Sequence, residues 1–322
     1  MENKKYTNND VRFPNNIFEP TLVHVNGKVY KKYTAKFRNL RNLYDYLKSN
    51  PDLNREVFRS LESVENSPDF AGIRYEEAVE DLVRPPRSEF SRFLKVSERI
   101  QENAYGYVRE YIDVRSPGGG YIDIPAYSSG SPFCYRTTKS IYTPKFIRLN
   151  VSLSYSCGTT KKQVLNRAMI ILALVNALEQ AGYIVEINTY EISKESDEII
   201  EIDVNIKNND ETFNKAALYK SLCYVEFLRR ILFRVLETLD VKNMWGGGYG
   251  ETCSEDFVRR VKKLDSNDIY FDQPRRMGIV GNDIVEDFNA AISHLALGDK
   301  IDIEETKEQF RKDMMVLRRT IK

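Results

Sequence analysis

From Phe146 onward the chain alternates. Ile147, Leu149, Val151 and Leu153 are apolar, while Arg148, Asn150, Ser152 and Ser154 are polar. A period of two predicts a half-buried strand with Asn150, Ser152 and Ser154 on one side. A loop of Ser, Cys, Gly and Thr fills 155–160. The period then changes. Val164, Ala168, Ile171, Leu172, Val175 and Leu178 recur at helical spacing, which predicts a helix over 161–181. It is apolar nearly all round from Ala168 to Leu178, so it needs cover on more than one side. Gly182 suits the position after a helix end, and Tyr183–Tyr190 returns as a strand. A strand–helix–strand crossover of this length sets the two strands parallel. After a charged turn at 193–197, Glu198–Lys207 alternates again. The short connection predicts antiparallel pairing. Strict alternation puts Glu201, Asp203, Asn205 and Lys207 on one face, opposite Ile200, Ile202, Val204 and Ile206.

Upstream, Asn26-Gly27 lies between two β-prone runs, Thr21–Val25 and Lys28–Tyr33, and signals a tight hairpin. His24 sits on one face of it. Leu40, Leu43, Tyr44 and Leu47 predict a helix. Further helices are expected near Leu53, over Tyr75–Leu82 and over Ser88–Gln101. Residues 111–140 are rich in Gly, Pro and Ser. The triple glycine Gly118–Gly120 lacks a following helix and a Gly-Lys-Ser/Thr, so it reads as a hairpin turn, not a phosphate cradle. Downstream, a long helix is predicted over 214–239, its stripe formed by Phe227, Leu228, Ile231, Leu232, Val235 and Leu239. Arg229, Arg230 and Arg234 then fall on a solvated face, with Arg229 and Arg230 as candidate anion contacts. Trp245 and Tyr249 belong to a glycine-rich loop of the kind that lets a backbone approach a partner closely. A helix over 254–264, a strand over 269–271, a helix over 283–297 and a charged C-terminal helix over 303–322 complete the reading. The expected organisation is an N-terminal hairpin and helical region (1–110), a connecting platform (111–140) and an α/β domain (141–322).

Composition narrows the function classes. With 48 basic and 47 acidic residues the net charge is +1, which gives no electrostatic case for nucleic acid. No stretch reaches membrane-span length, and the opening MENKKYTNND lacks an apolar run. Cys134, Cys157, Cys223 and Cys253 form no Cys-x-x-Cys pair, and the two histidines are far apart. A structural zinc site is not expected, and a reducing, cytoplasmic setting is. Nucleophilic catalysis lacks a motif-placed histidine. An acidic strand offers a second enzymatic reading, a Mg²⁺-dependent nuclease acting through Asp203 and Lys207.

The element order from 146 resembles the von Willebrand factor A-type fold, a doubly wound α/β sheet whose second and third strands form a hairpin. Members carry Asp-x-Ser-x-Ser at the first strand end, a later Thr and a later Asp. Together these bind a divalent metal. Asn150-x-Ser152-x-Ser154 is similar to the first motif, Thr212 to the second element and Asp272 to the third. Asn150 replaces the carboxylate, so the resemblance implies a weakly held Mg²⁺ or none. It also implies a non-catalytic role in protein interaction, in some members beside AAA-type ATPases. Four stretches further resemble a bacteriophage-encoded family of unknown activity: 121–132, the Asn/Ser strand end, 173–183 and 226–234. That likeness implies a phage or mobile-element protein in the host cytoplasm, or a virion structural or assembly component that self-associates.

Overall fold

The computed structural model describes residues 17–49, 72–91, 93–95, 110–141, 145–180, 182–209, 214–238, 252–265 and 268–295, with 304, 307, 308, 311 and 312. The expected helices near Leu53 and beyond Lys95, and most of the C-terminal one, lie outside them. So do Thr212, Trp245 and Tyr249.

The chain opens with β1 (Ile17–Val25) and β2 (Lys28–Phe37), paired antiparallel about Asn26 and Gly27, both at positive φ. Next come α1 (Leu40–Ser49) and α2 (Tyr75–Asp81). A small unit follows: β3 (Glu110–Ser116), β4 (Tyr121–Ile122), α3 (Ile124–Ser128) and β5 (Tyr135–Ile141). Then come β6 (Lys145–Ser152), α4 (Lys161–Gln180), β7 (Tyr183–Glu195) and β8 (Glu198–Lys207). The described part ends with α5 (Lys215–Leu222), a π-helical turn (Phe227–Leu232), α6 (Phe233–Thr238), α7 (Glu255–Lys262), β9 (Asp268–Phe271) and α8 (Ile284–His294).

Six strands make one mixed sheet in the order β1-β2-β8-β7-β6-β9. β6 runs parallel to β7 and β9, β8 antiparallel to β7, and β2 parallel to β8. The two strands ahead of residue 110 are thus built into the same sheet as those after 141. One face carries the main core. Leu149, Val151, Ile187, Ile202 and Val204 pack there with the apolar positions of α4, α1, α5, α8 and the π-helical turn. The second face has a smaller apolar cluster in which Tyr190, Ile192 and Ile199 meet Phe257, Val258 and Val261 of α7. α5 and α8 pack against α4 on the same face of the sheet, which explains why it is buried almost all round. Glu191, the register partner of Ile202, is completely buried in the main-core layer.

Three expectations are corrected. The glycines 118–120 do not close a hairpin. β3 and β4 both pair antiparallel with β5, one on each side, so the loop carries the chain across the end of β5. Gly120 is held to glycine there, since a Cβ would lie 1.9 Å from the Arg136 carbonyl oxygen. The helix over 214–239 breaks at Cys223 and resumes as the π-helical turn. Its arginines are not solvated: Arg229, Arg230 and Arg234 are all buried. Finally, β8 carries a bulge. Ile187 pairs with Lys207 but Asn188 with Asn205, so Ile206 is passed over. The extra residue breaks the strict alternation and puts Lys207 on the face of Ile187, opposite Asp203.

Candidate functional site

β6 lies between β7 and β9 and is parallel to both. The helix that leaves β6, α4, packs on the main-core face, while α7, just ahead of β9, covers the other. The connections that leave β6 and β9 both lead to helices on the main-core face, α4 and α8. Residues 153–160 and 272–283 follow the carboxyl ends of β6 and β9.

The predicted residues at the strand end are buried and engaged. Asn150 Nδ2 donates to Asp268 Oδ1 at 2.8 Å, and Arg148 reaches the same oxygen at 3.1 Å. The Ser154 hydroxyl accepts from the Ile192 amide at 3.4 Å. Asp272 accepts from the Gln273 amide at 2.6 Å and from Arg276 Nη1 at 3.4 Å. Ser152 presents its carbonyl to Arg167 Nη1 at 2.6 Å.

Arg167 dominates this end. Its side chain is completely buried, and Nε and Nη2 have no hydrogen-bond partner. Burial lowers its pKa, and the phenols of Tyr155, Tyr190 and Tyr270 with the Asp272 carboxylate pull the other way. Arg229, from the π-helical turn, lies at the same ring: the guanidinium carbons of Arg167 and Arg229 are 5.5 Å and 5.2 Å from the Tyr155 centroid. Burial pushes the Tyr155 phenol up to about 12. Arg229 Nη2 donates to the carbonyls of Ser156, Cys157 and Thr159 at 3.1–3.4 Å. Arg275 Nη2 takes that of Gly158 at 2.9 Å. Two arginines therefore hold the carbonyl edge of the 156–159 loop. Thr160 and Gln163 form a reciprocal capping box at the start of α4. The first turn of α4 has no acidic residue and instead exposes Lys161 and Lys162, against the preference of a helix N-terminus for negative charge.

This donor set does not fit a hard dication. A guanidinium bonded to the Ser152 carbonyl adds positive charge where the cation would sit, and Asp272 is already tied to Gln273 and Arg276. Among the described residues no group of three His, Cys, Asp or Glu side chains is placed to hold a metal. Arg230 does not join Arg229. Its Nε donates to the Ile73 carbonyl at 3.1 Å, towards the α2 side.

The acidic strand forms a separate cluster under α7. Lys262 Nζ donates to Glu201 at 2.7 Å and Asp203 at 2.5 Å, and Lys32 pairs with Glu201. Burial alone would raise the Glu201 pKa, but Lys262 and then Lys32 hold it down to about 2. Burial raises that of Asp203 against the pull of Lys262. Lys207 instead bonds the Val185 carbonyl at 2.7 Å and Glu179 of α4 at 3.3 Å. The bulge separates the two residues on which the nuclease reading depends.

The sequence reading missed Arg167. Its signal is present: it lies three residues after Val164 and four before Ile171, in register with the core stripe.

Fold and site together define an α/β protein on a six-stranded mixed sheet, with buried arginines at the carboxyl end of β6. The chain belongs to the family described as Domain of unknown function (DUF7192), whose model matches residues 10–296. No curated protein and no solved structure matches it.

Proposed function

We propose that the chain is a non-catalytic binding module of von Willebrand factor A-like topology, in which the start of α4 receives an acidic segment of a protein partner. The order β8-β7-β6-β9 with an antiparallel β8 supports the topology, which resembles the third, second, first and fourth strands of that fold. The observation that carries the reading is the positive charge at the start of α4, just past the carboxyl end of β6. Arg167 is buried with two donors unused, and Lys161 and Lys162 stand against the α4 dipole above it. The exposed Lys161 and Lys162, and not the buried guanidinium, then meet the partner's carboxylates. An AAA-type ATPase is the first partner to test, in a phage-infected host, because some proteins of this fold type act beside such ATPases.

The test is calorimetric titration of the full chain with a short polyglutamate peptide. The expected result is binding that weakens as salt rises. It falls at least about tenfold in Lys161→Glu plus Lys162→Glu, a change that the helix N-terminus favours and that should not harm folding. Unchanged affinity in that variant, or no binding by the native chain, refutes the reading.

A further inference from the structure

Arg167 carries a charge that the described side chains do not balance. It stands in the second turn of α4 with its side chain completely buried, and a guanidinium does not shed its proton inside a protein. Its hydrogen bond goes to a neutral group, the Ser152 carbonyl, at 2.6 Å. Asp272 is the carboxylate whose field reaches it, and that group is already bonded to the Gln273 amide and to Arg276. A charge buried without a counter-charge is strongly unfavourable.

The unused donors have a definite geometry. Nε and Nη2, without partners among the described residues, lie on one edge of the planar group. That edge takes the two oxygens of a carboxylate side by side. The rest of the guanidinium is engaged, with Nη1 on Ser152 and the group 5.5 Å from the Tyr155 centroid. Hydroxyls are close by. Tyr190 stands opposite Ser152 in the β6/β7 register, and its ring centroid is 6.5 Å from that of Tyr270. Both phenols act electrostatically on Arg167. The Tyr190 hydroxyl is itself buried without a hydrogen bond of ordinary geometry. A phenol can donate to an oxyanion without adding charge of its own.

We infer that Arg167 holds a small monovalent oxyanion, of the formate or nitrate kind, inside the carboxyl end of β6. A water molecule would satisfy the two donors but leave the charge unbalanced. Two parallel donors select a pair of oxygens over a halide. One unbalanced guanidinium selects a single negative charge. Complete burial selects an ion small enough to be enclosed, so this site is separate from the lysines at the start of α4 and does not depend on their reading.

Scanning calorimetry of the full chain in a bulky sulfonate buffer tests this, with formate, nitrate or chloride added at constant ionic strength. The expected result is a saturable rise in melting temperature with formate or nitrate, about 4 °C at a hundredfold excess over the dissociation constant. Chloride should give a smaller rise. The stronger of the two oxyanions shows whether the natural ion is an organic or an inorganic one. Arg167→Lys keeps the charge without the parallel edge and should lose at least about tenfold in formate affinity. Lys161→Glu plus Lys162→Glu should keep the full shift. Independently of any variant, the carbon NMR signal of labelled formate should broaden with the native chain and sharpen again when nitrate displaces it. A native melting curve that neither oxyanion moves overturns the inference. So does an equal rise with chloride, or an equal formate affinity in Arg167→Lys.

Discussion

Replacing Glu191 by Gln should stabilise the protein at alkaline pH and hardly at all in acid. Glu191 is completely buried. One carboxyl oxygen accepts from the Ser193 hydroxyl at 2.5 Å and the other has no partner. Burial, eased slightly by Ser193, raises its pKa from 4.5 to about 7. The sign follows from the two states. In the unfolded chain the group ionises near 4.5, whereas in the fold it keeps its proton up to about 7. The unfolded state therefore loses its proton first, and stability falls as pH rises between those values, then levels off. At about 1.4 kcal/mol for each tenfold change in proton affinity, the loss at pH 8 is roughly 3 kcal/mol. Gln keeps an acceptor for Ser193 and never ionises. Urea unfolding of both proteins near pH 4.5 and at pH 8 isolates the effect, since every other titrating group is shared. The gain for Gln should be near zero in acid and about 2–3 kcal/mol at pH 8. A difference that does not change with pH, or a native protein that is the more stable at pH 8, refutes the reasoning.

Lys262→Met removes the bridges to Asp203 and to the buried Glu201, leaving Lys32 on Glu201, and should cost about 3–5 kcal/mol in denaturant unfolding at neutral pH. Leu174→Ala, at a fully buried position of α4, should cost about 2–5 kcal/mol by the same measurement. Gly120→Ala forces a Cβ against the Arg136 carbonyl at a positive φ and should cost about 1–3 kcal/mol in denaturant unfolding. Asn214→Ala removes the cap that accepts from the Ala217 amide at 3.1 Å and should lower stability by about 1 kcal/mol.

Local periodicity made the centre of the fold legible. β6, α4, β7 and β8 follow from residues that each bury one predictable face, and Gly182 and the charged turn mark their ends. The bulge in β8 left no such mark. Val204 and Ile206 keep alternating with Asn205 and Lys207, so nothing along the chain announces that Ile206 is passed over. The buried arginines were hidden for another reason. Arg229 and Arg230 stand next to the apolar stripe of a helix assumed to be regular, and the π-helical turn wraps both into the interior. Arg167 was readable as a charge in core register, yet its role depends on a loop and a strand more than a hundred positions apart. The pairing of β2 with β8 depends on tertiary packing alone.

That pairing has a temporal consequence. Lys32 and Glu201, neighbours across the parallel β2/β8 seam, are 169 positions apart. A ribosome adding about 5–20 residues each second completes the intervening chain only roughly ten to thirty seconds after β2 emerges. For that interval the hairpin has an open edge facing the strand it awaits. The nascent chain is therefore most exposed to aggregation, and most in need of a chaperone, before β8 has been made.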